Sequence, residues 1–328
     1  MCIAEVLESV PLSRRRLFGV GTAVGLTVAA GMAGEAFRAE RVAAAQPGPG
    51  GGPGTAGVNF RWFGTNAWEI SFGETTILID PWLTRFDSGA FSGRFDLQTP
   101  LSVDAAVLDR YLPKATQILV GHGHFDHIAD IPYLAQKTGA QVVGTETHAH
   151  LLRAYGLPER QIVTARGGEF MQFDGYAIEV MQGLHGFDAN KQYILPTTLN
   201  SVPPPPRTVA DLPEGGTLIY HIRIQDRFSI VAMSTGNFVE RALSGLRPDV
   251  LIAGATGGTN QVYKYDERLL GVLGAPKLVL PTHWDNFEAP LTTPQTPGPG
   301  VERLIMAAGR VAPQSEVKVL NLLESYAP

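Results

Sequence analysis

Gln117 to Asp130 reads QILVGHGHFDHIAD, and three of the eight histidines in the chain fall within six residues of it. The apolar run Gln117-Ile118-Leu119-Val120 is rich in β-formers and stops at Gly121, so it reads as a buried strand opening into a loop. In an extended segment residues two apart face the same way, which lets His122 and His124 present their imidazoles to one cation. Asp126 and His127 follow where the chain turns into a helix expected from Ile128 to Gln136. Being adjacent there, they point elsewhere and leave room for a second cation. A helix cap would account for Asp126 alone, and packing for one histidine. Four such groups in an HxHxDH pattern directly after an apolar strand call for a metal site.

The four residues His122, His124, Asp126 and His127 resemble the HxHxDH signature of the metallo-β-lactamase fold hydrolases, and the likeness runs from about Val58 onward. The resemblance implies an α/β fold, the four-layer αββα sandwich, with the site between its two sheets. It also implies further metal ligands: His185, at the end of a β-rich run, as the third histidine, and His283 as the last. Asp80, at a strand end, matches an acidic residue that buttresses the metal loop; capping the turn before Pro81 is the other reading. Where the family carries a bridging aspartate this chain has Asn237, a neutral amide with one ligating oxygen. The expected sites are then His122, His124 and His185 for a firmly held ion, and Asp126, His127 and His283 for a weaker one, with Asp285 as a possible compensating carboxylate. The lactonase-like branch, of the L-ascorbate-6-phosphate lactonase type, is the nearest likeness, although Gly64-Thr65-Asn66 departs from the Gly-His that members of that branch carry.

Composition narrows the rest. The chain has 328 residues, 44% apolar and 17% charged, with net charge −5, enough for one large domain. No basic block lies in the body of the chain, which argues against nucleic acid as a partner. The single cysteine, Cys2, lies in a segment expected to be removed. Metal must therefore be held by nitrogen and oxygen donors, which suits zinc and also manganese or iron.

Ser13-Arg14-Arg15-Arg16-Leu17-Phe18 precedes a Gly/Ala/Val-rich run from Gly19 to Gly34, the layout of a twin-arginine export signal. Residues 1–45 are read as that signal, with Ala43-Ala44-Ala45 as the cleavage site, 46–57 as a Gly/Pro-rich linker and 58–328 as the hydrolase domain. The expected partners are a small-molecule substrate and the twin-arginine export machinery, with the membrane met only transiently. The expected location is periplasmic, cell-wall-associated or extracellular. Along the body, Ser102 is expected to cap a helix to Tyr111, and His148, His150 and His221 are read as packing or surface residues. The long connection from Leu83 to Leu101, with Phe86, Phe91 and Phe95, is either a wall of the substrate site or packing. Gly186 to Gly215, with its run of four prolines, is a lid or an exposed insertion.

The activity expected from these residues is hydrolysis of an ester, lactone, amide or phosphodiester by a metal-activated water, with Asp126 orienting that water and accepting its proton. Two alternatives stand beside it: an iron-dependent oxidoreductase of the same fold, and a non-catalytic exported metal-binding protein.

Overall fold

Strands in this chain carry apolar residues on alternate positions or throughout, and the two patterns sort them into layers. In the computed structural model, which describes residues 57–328, the first half runs β1 (Asn59–Trp62), β2 (Trp68–Phe72), β3 (Thr75–Ile79), α1 (Ala105–Tyr111), β4 (Gln117–Leu119), α2 (Phe125–Ile128), α3 (Ile131–Thr138), β5 (Gln141–Gly144), α4 (Glu146–Ala154) and β6 (Ile162–Thr164). The second half runs β7 (Phe170–Phe173), β8 (Tyr176–Leu184), β9 (Leu218–Ile224), β10 (Phe228–Ala232), β11 (Asn237–Phe238), α5 (Glu240–Leu243), β12 (Val250–Gly254), α6 (Tyr265–Val272), β13 (Leu278–Thr282), α7 (Pro299–Val311), β14 (Glu316–Val317) and β15 (Ser325–Tyr326). Positions 1–56, including the arginine motif, the apolar run and most of the linker, lie outside the described residues.

Two mixed sheets result. One is seven-stranded in the order β15-β1-β2-β3-β4-β5-β6; the other is eight-stranded, β11-β8-β9-β10-β12-β13-β14, with β7 also paired to β8. In each, antiparallel hairpins give way to parallel strands: β3 through β6 in the first, β10 and β12 to β14 in the second. Phe60, Trp62, Ile77 and Leu119 from the first sheet pack with Ile178, Tyr220, Ile222 and Ile252 from the second in one buried cluster. A second cluster joins the first sheet to α1, α3 and α4 through Leu108, Ile131, Leu134 and Leu151, and a third joins the second sheet to α6 and α7 through Leu269, Leu270 and Leu304. This is the αββα layering that the HxHxDH resemblance implies.

Helix starts differ from the sequence reading. Asp104, not Ser102, caps α1, its carboxylate accepting from Val107 N. The single helix expected from Ile128 breaks into α2 and α3. Pro132 has no N–H to continue the ladder and sits in the first turn of α3, where that loss costs nothing. The Asp130 carboxylate at this break accepts from Leu83 N at 2.7 Å, Thr84 N at 2.9 Å and Thr84 Oγ1 at 2.6 Å, and so anchors the root of the 83–101 connection. Burial pushes the Asp130 carboxyl up to about 6, against these hydrogen bonds.

His148 is buried on α4 and completes a reciprocal cap: its Nδ1 accepts from Thr145 N at 3.0 Å while Thr145 Oγ1 accepts from His148 N. Its Nε2 donates to Glu214 O at 3.2 Å. Burial lowers it to about 4. The unfolded chain therefore takes up this proton first as pH falls, so the stability His148 contributes is present above pH ~6.5 and lost down to its folded value. Between pH 7 and pH 4.5 the parent chain should lose about 2 kcal/mol more than His148→Gln, since one proton is worth about 1.4 kcal/mol per pH unit. Urea unfolding at the two pH values measures this, and equal losses would exclude the role.

Candidate metal centre

The strand ends converge. β4 ends at Gly121 and releases His122, His124, Asp126 and His127; β8 delivers His185; β13 delivers His283; β3 delivers Asp80; and β10 delivers Ser234 and Thr235. Gly121 is required here, because a Cβ at that position would overlap the Ser234 side chain and crowd Asp80.

Two triads of ligand atoms form, each with its atoms within 4.8 Å of one another: His122, His124 and His185, and Asp126, His127 and His283. In the first, ring centroids stand 4.7, 4.8 and 4.7 Å apart, a nearly equilateral triangle. In the second, His127 Nε2 lies 3.3 Å from His283 Nε2, and Asp126 Oδ2 lies 3.2 Å from His283 Nε2 and 3.5 Å from His127 Nε2. Bonds of ~2.0–2.1 Å to a tetrahedral ion place its ligand atoms about 3.4 Å apart, so this spacing fits a shared cation.

The second ring nitrogens of His122, His124, His127 and His185 are each engaged, which sets the orientation of those imidazoles. His127 Nδ1 donates to Asp80 Oδ2 at 2.8 Å, His185 Nδ1 to Gly186 O at 2.7 Å and His124 Nε2 to Ile194 O at 2.9 Å. Ser234 Oγ gives its only proton to Asp80 Oδ2 at 3.1 Å and so accepts from His122 Nδ1 at 2.9 Å. This network assigns the tautomers and leaves His122 Nε2, His124 Nδ1, His185 Nε2 and His127 Nε2 free to ligate. Asp80 also accepts from Gly121 N at 2.6 Å and Asn66 Nδ2 at 2.8 Å. One buried carboxylate thus steers a histidine in each triad, directly for His127 and through Ser234 for His122.

Electrostatics suits metal binding. Burial, helped by the neighbouring imidazoles, holds His122 well below the usual histidine range; burial and His185 bring His124 to about 3; and burial also lowers His185. These rings are therefore unprotonated at neutral pH, the form that ligates. Burial opposes ionisation of Asp126, but His127 and His283 outweigh it and keep the carboxyl far below its ordinary value. Burial likewise opposes protonation of His127, and Asp126 with Asp80 reverses that, raising it. The donors are all imidazole nitrogen and carboxylate oxygen, a set that fits zinc, manganese or iron.

Above the triads lies a cavity of about 410 Å³. Both long connections reach it: Ala90 and Phe95 from the first, Phe187, Ile194 and Leu195 from the second. The second is stitched down and forms a fixed wall, with Gly123 N donating to Glu214 O and Glu214 N to Leu195 O.

Residues 59–283 match the family described as Beta-lactamase superfamily domain. A UPF0173 metal-dependent hydrolase of Pyrobaculum islandicum is 31% identical over 232 residues, covering 70% of this chain and 85% of the relative. The chain belongs to the metallo-β-lactamase superfamily, in the UPF0173 metal-dependent hydrolase family. Solved structures share its fold. A possible metal-dependent hydrolase from Veillonella parvula superposes with TM-score 0.55 at 17% identity, over 83% of this chain and all of that one. An isothiocyanate hydrolase from Delia radicum gut bacteria superposes with TM-score 0.52 at 17% identity, over 82% of this chain and 99% of that one.

Within this metal-dependent hydrolase, two expected residues fall outside the triads. Asn237 is committed to the sheet: its backbone pairs with Leu184, and its Oδ1 accepts from Phe238 N at 2.9 Å. Ser234 and Thr235, at the end of β10, reach the centre in its place, and neither offers a carboxylate. Asp285 does not compensate. Its carboxylate is buried against Arg85 at 2.7 Å and accepts from Thr65 N at 2.8 Å, which fixes the turn that in turn accepts from His283 N. Ser234 and Asn66 carry no sequence signal, since each acts only once Asp80 is brought beside it.

Asp80→Asn should weaken metal binding by about 10- to 100-fold, as losses of such supporting partners do. Competition against a fluorescent zinc chelator, with near-UV circular dichroism as the folding control, measures it; unchanged affinity would remove Asp80 from this role.

Proposed function

We propose that this hydrolase cleaves an ester, lactone, amide or phosphodiester bond in a small molecule, using one firmly bound zinc and a second, weaker ion. The observation that carries the reading is the near-equilateral histidine triangle opening onto a largely apolar cavity. A bound zinc, or manganese or iron in its place, lowers the pKa of water toward ~7 and polarises the scissile group.

The chain's own residues do the rest. His122, His124 and His185 hold the first ion through neutral nitrogens, and their engaged opposite nitrogens prevent ring rotation. Asp126, kept ionised, belongs to the second triad, lines the cavity, and is placed to orient the attacking water and take its proton. Thr235 Oγ1 accepts from Gly186 N at 3.1 Å, so its hydroxyl proton is available to an oxygen of the substrate in the cavity. Phe95, Phe125 and Phe287 line the cavity and limit water around the reacting atoms. The weaker affinity assigned to the second ion is supported by His127, whose proton Asp126 and Asp80 help to retain, so that an ion in the second triad must displace it.

His124→Ala should abolish both tight zinc binding and turnover, read by metal analysis after dialysis and by a panel of generic esters, lactones, amides and phosphodiesters. Turnover retained without metal would overturn the mechanism, and two equally tight ions in the parent chain would overturn the assignment of unequal sites.

The reading extends to an exported protein carried by the twin-arginine machinery, supported by Ser13 to Phe18 and the apolar run after it. Replacing Arg14 and Arg15 with lysine should leave the protein inside the producing cell; continued export, measured by fractionation, would exclude that route.

A further inference from the structure

The walls of the cavity carry more than shape. Its long side is aromatic. Phe95 lies over Phe125 with centroids 6.4 Å apart, Phe125 is backed edge-on by Trp82 at 5.4 Å, and Phe287 stands 6.3 Å from Phe125 and 5.7 Å from the His283 ring. Ile194, Leu195 and Val209 add aliphatic surface to the lining. The apolar surface continues outward onto the rim, where Phe91 is 50%, Phe95 42% and Ile194 42% exposed. Phe91 packs on Phe287 at 4.8 Å and Phe187 on Tyr193 at 4.7 Å.

Charge is distributed just as unevenly. Among the described residues no lysine or arginine lines the cavity. Arg85, the basic side chain closest in sequence to the first wall's root, is buried in its ion pair with Asp285, and Lys191 on the second wall is tied to Gln261. The charged side chains that do line it, apart from histidine, are Asp126 and Asp188. Asp188 is already engaged by Asn190 N and Gln192 N, both at 2.8 Å. The rim is held rigid by Glu288, whose carboxylate accepts from Ser88 N, Ser88 Oγ, Ala90 N and Phe91 N at 2.8, 2.6, 2.9 and 3.3 Å. An apolar wall fastened in this way is already formed before a substrate arrives, so little ordering cost attends its use.

We infer that the substrate is an uncharged ester, lactone or amide whose acyl side bears an aromatic or extended aliphatic group, seated against Phe95, Phe125, Phe287 and Ile194. The inference rests on the hydrolytic reading above and narrows it, setting aside the phosphodiester. The walls themselves offer no cationic side chain, so only the proposed ions could pair an anionic group, and a charge held beyond their reach would lie unpaired against apolar surface, a cost that a neutral group avoids.

The test uses the zinc-loaded full chain with 4-nitrophenyl acetate, butanoate and hexanoate, and with bis(4-nitrophenyl) phosphate, which carries a second nitrophenyl ring but is anionic. The value of kcat/KM should rise about fourfold per added methylene, the equivalent of about 0.8 kcal/mol, and the phosphodiester should rank below the hexanoate. A flat series, or a preference for the phosphodiester, overturns the inference. Calorimetric binding of acetohydroxamate and hexanohydroxamate reads the same wall without turnover. If no ester is cleaved yet the longer hydroxamate binds tighter by the same increment, the cavity's preference stands and ester hydrolysis falls. If esters are cleaved with neither series depending on chain length, hydrolysis stands and the preference falls. Phe95→Ala should cut the hexanoate-to-acetate ratio about fivefold, the size of one aromatic contact, with zinc content unchanged; an unchanged ratio counts against the wall.

Discussion

The buried carboxylate of Asp80 is the hub on which the centre depends. It stands at the end of β3 with φ of 42°, a strained position for a residue with a side chain. It receives Gly121 N, Asn66 Nδ2, Ser234 Oγ and His127 Nδ1. Those donors come from both sheets, so one side chain couples the first-sheet loop, which carries HxHxDH, to the end of β10 in the second. A carboxylate with its lone pairs filled by four donors has little freedom left, and neither do the imidazoles it orients. That rigidity is what a set of neutral histidines needs in order to present nitrogens to a cation rather than to one another.

Around this hub the two long connections have divided roles. The 83–101 connection is secured at its root by Asp130 and near its tip by Glu288, and beyond those anchors it brings Phe95 to the cavity. The 186–215 connection reaches back to the site through a main-chain carbonyl, Ile194 O, which receives His124 Nε2. A wall of the cavity is therefore also a support for a ligand, and a displacement of that segment would disturb the metal site together with the substrate site. The second triad has a corresponding link: His283, at φ of 59°, is tied by its backbone to Thr65, whose turn is fixed by the buried Arg85–Asp285 pair.

Much of this was legible in one dimension. The HxHxDH segment after an apolar strand announced ligands because its spacing is local: the alternation of a strand end places His122 beside His124 whatever the rest of the chain does. Elements whose cause is remote were not legible. β15 exists because it pairs with β1 across the whole length of the domain, α6 begins at a lysine in a left-handed conformation, and neither carries a local signature. Asn237 shows the opposite failure. Its place two residues after Thr235 fitted a family pattern, but its pairing with Leu184 turns it into a strand residue.

The sequence by itself determined the ligand chemistry: three imidazoles and a carboxylate in one loop and no usable thiolate, hence a cation held by nitrogen and oxygen, since side-chain identity and short-range spacing suffice for that. Only the tertiary structure decided that Asn237 stands apart, which ring nitrogens are free, and that the cavity is walled by aromatic rings without a basic side chain. Each of those is a relation between residues up to some two hundred positions apart in the chain, and such relations exist only once the sheets have packed and brought their strand ends to one edge.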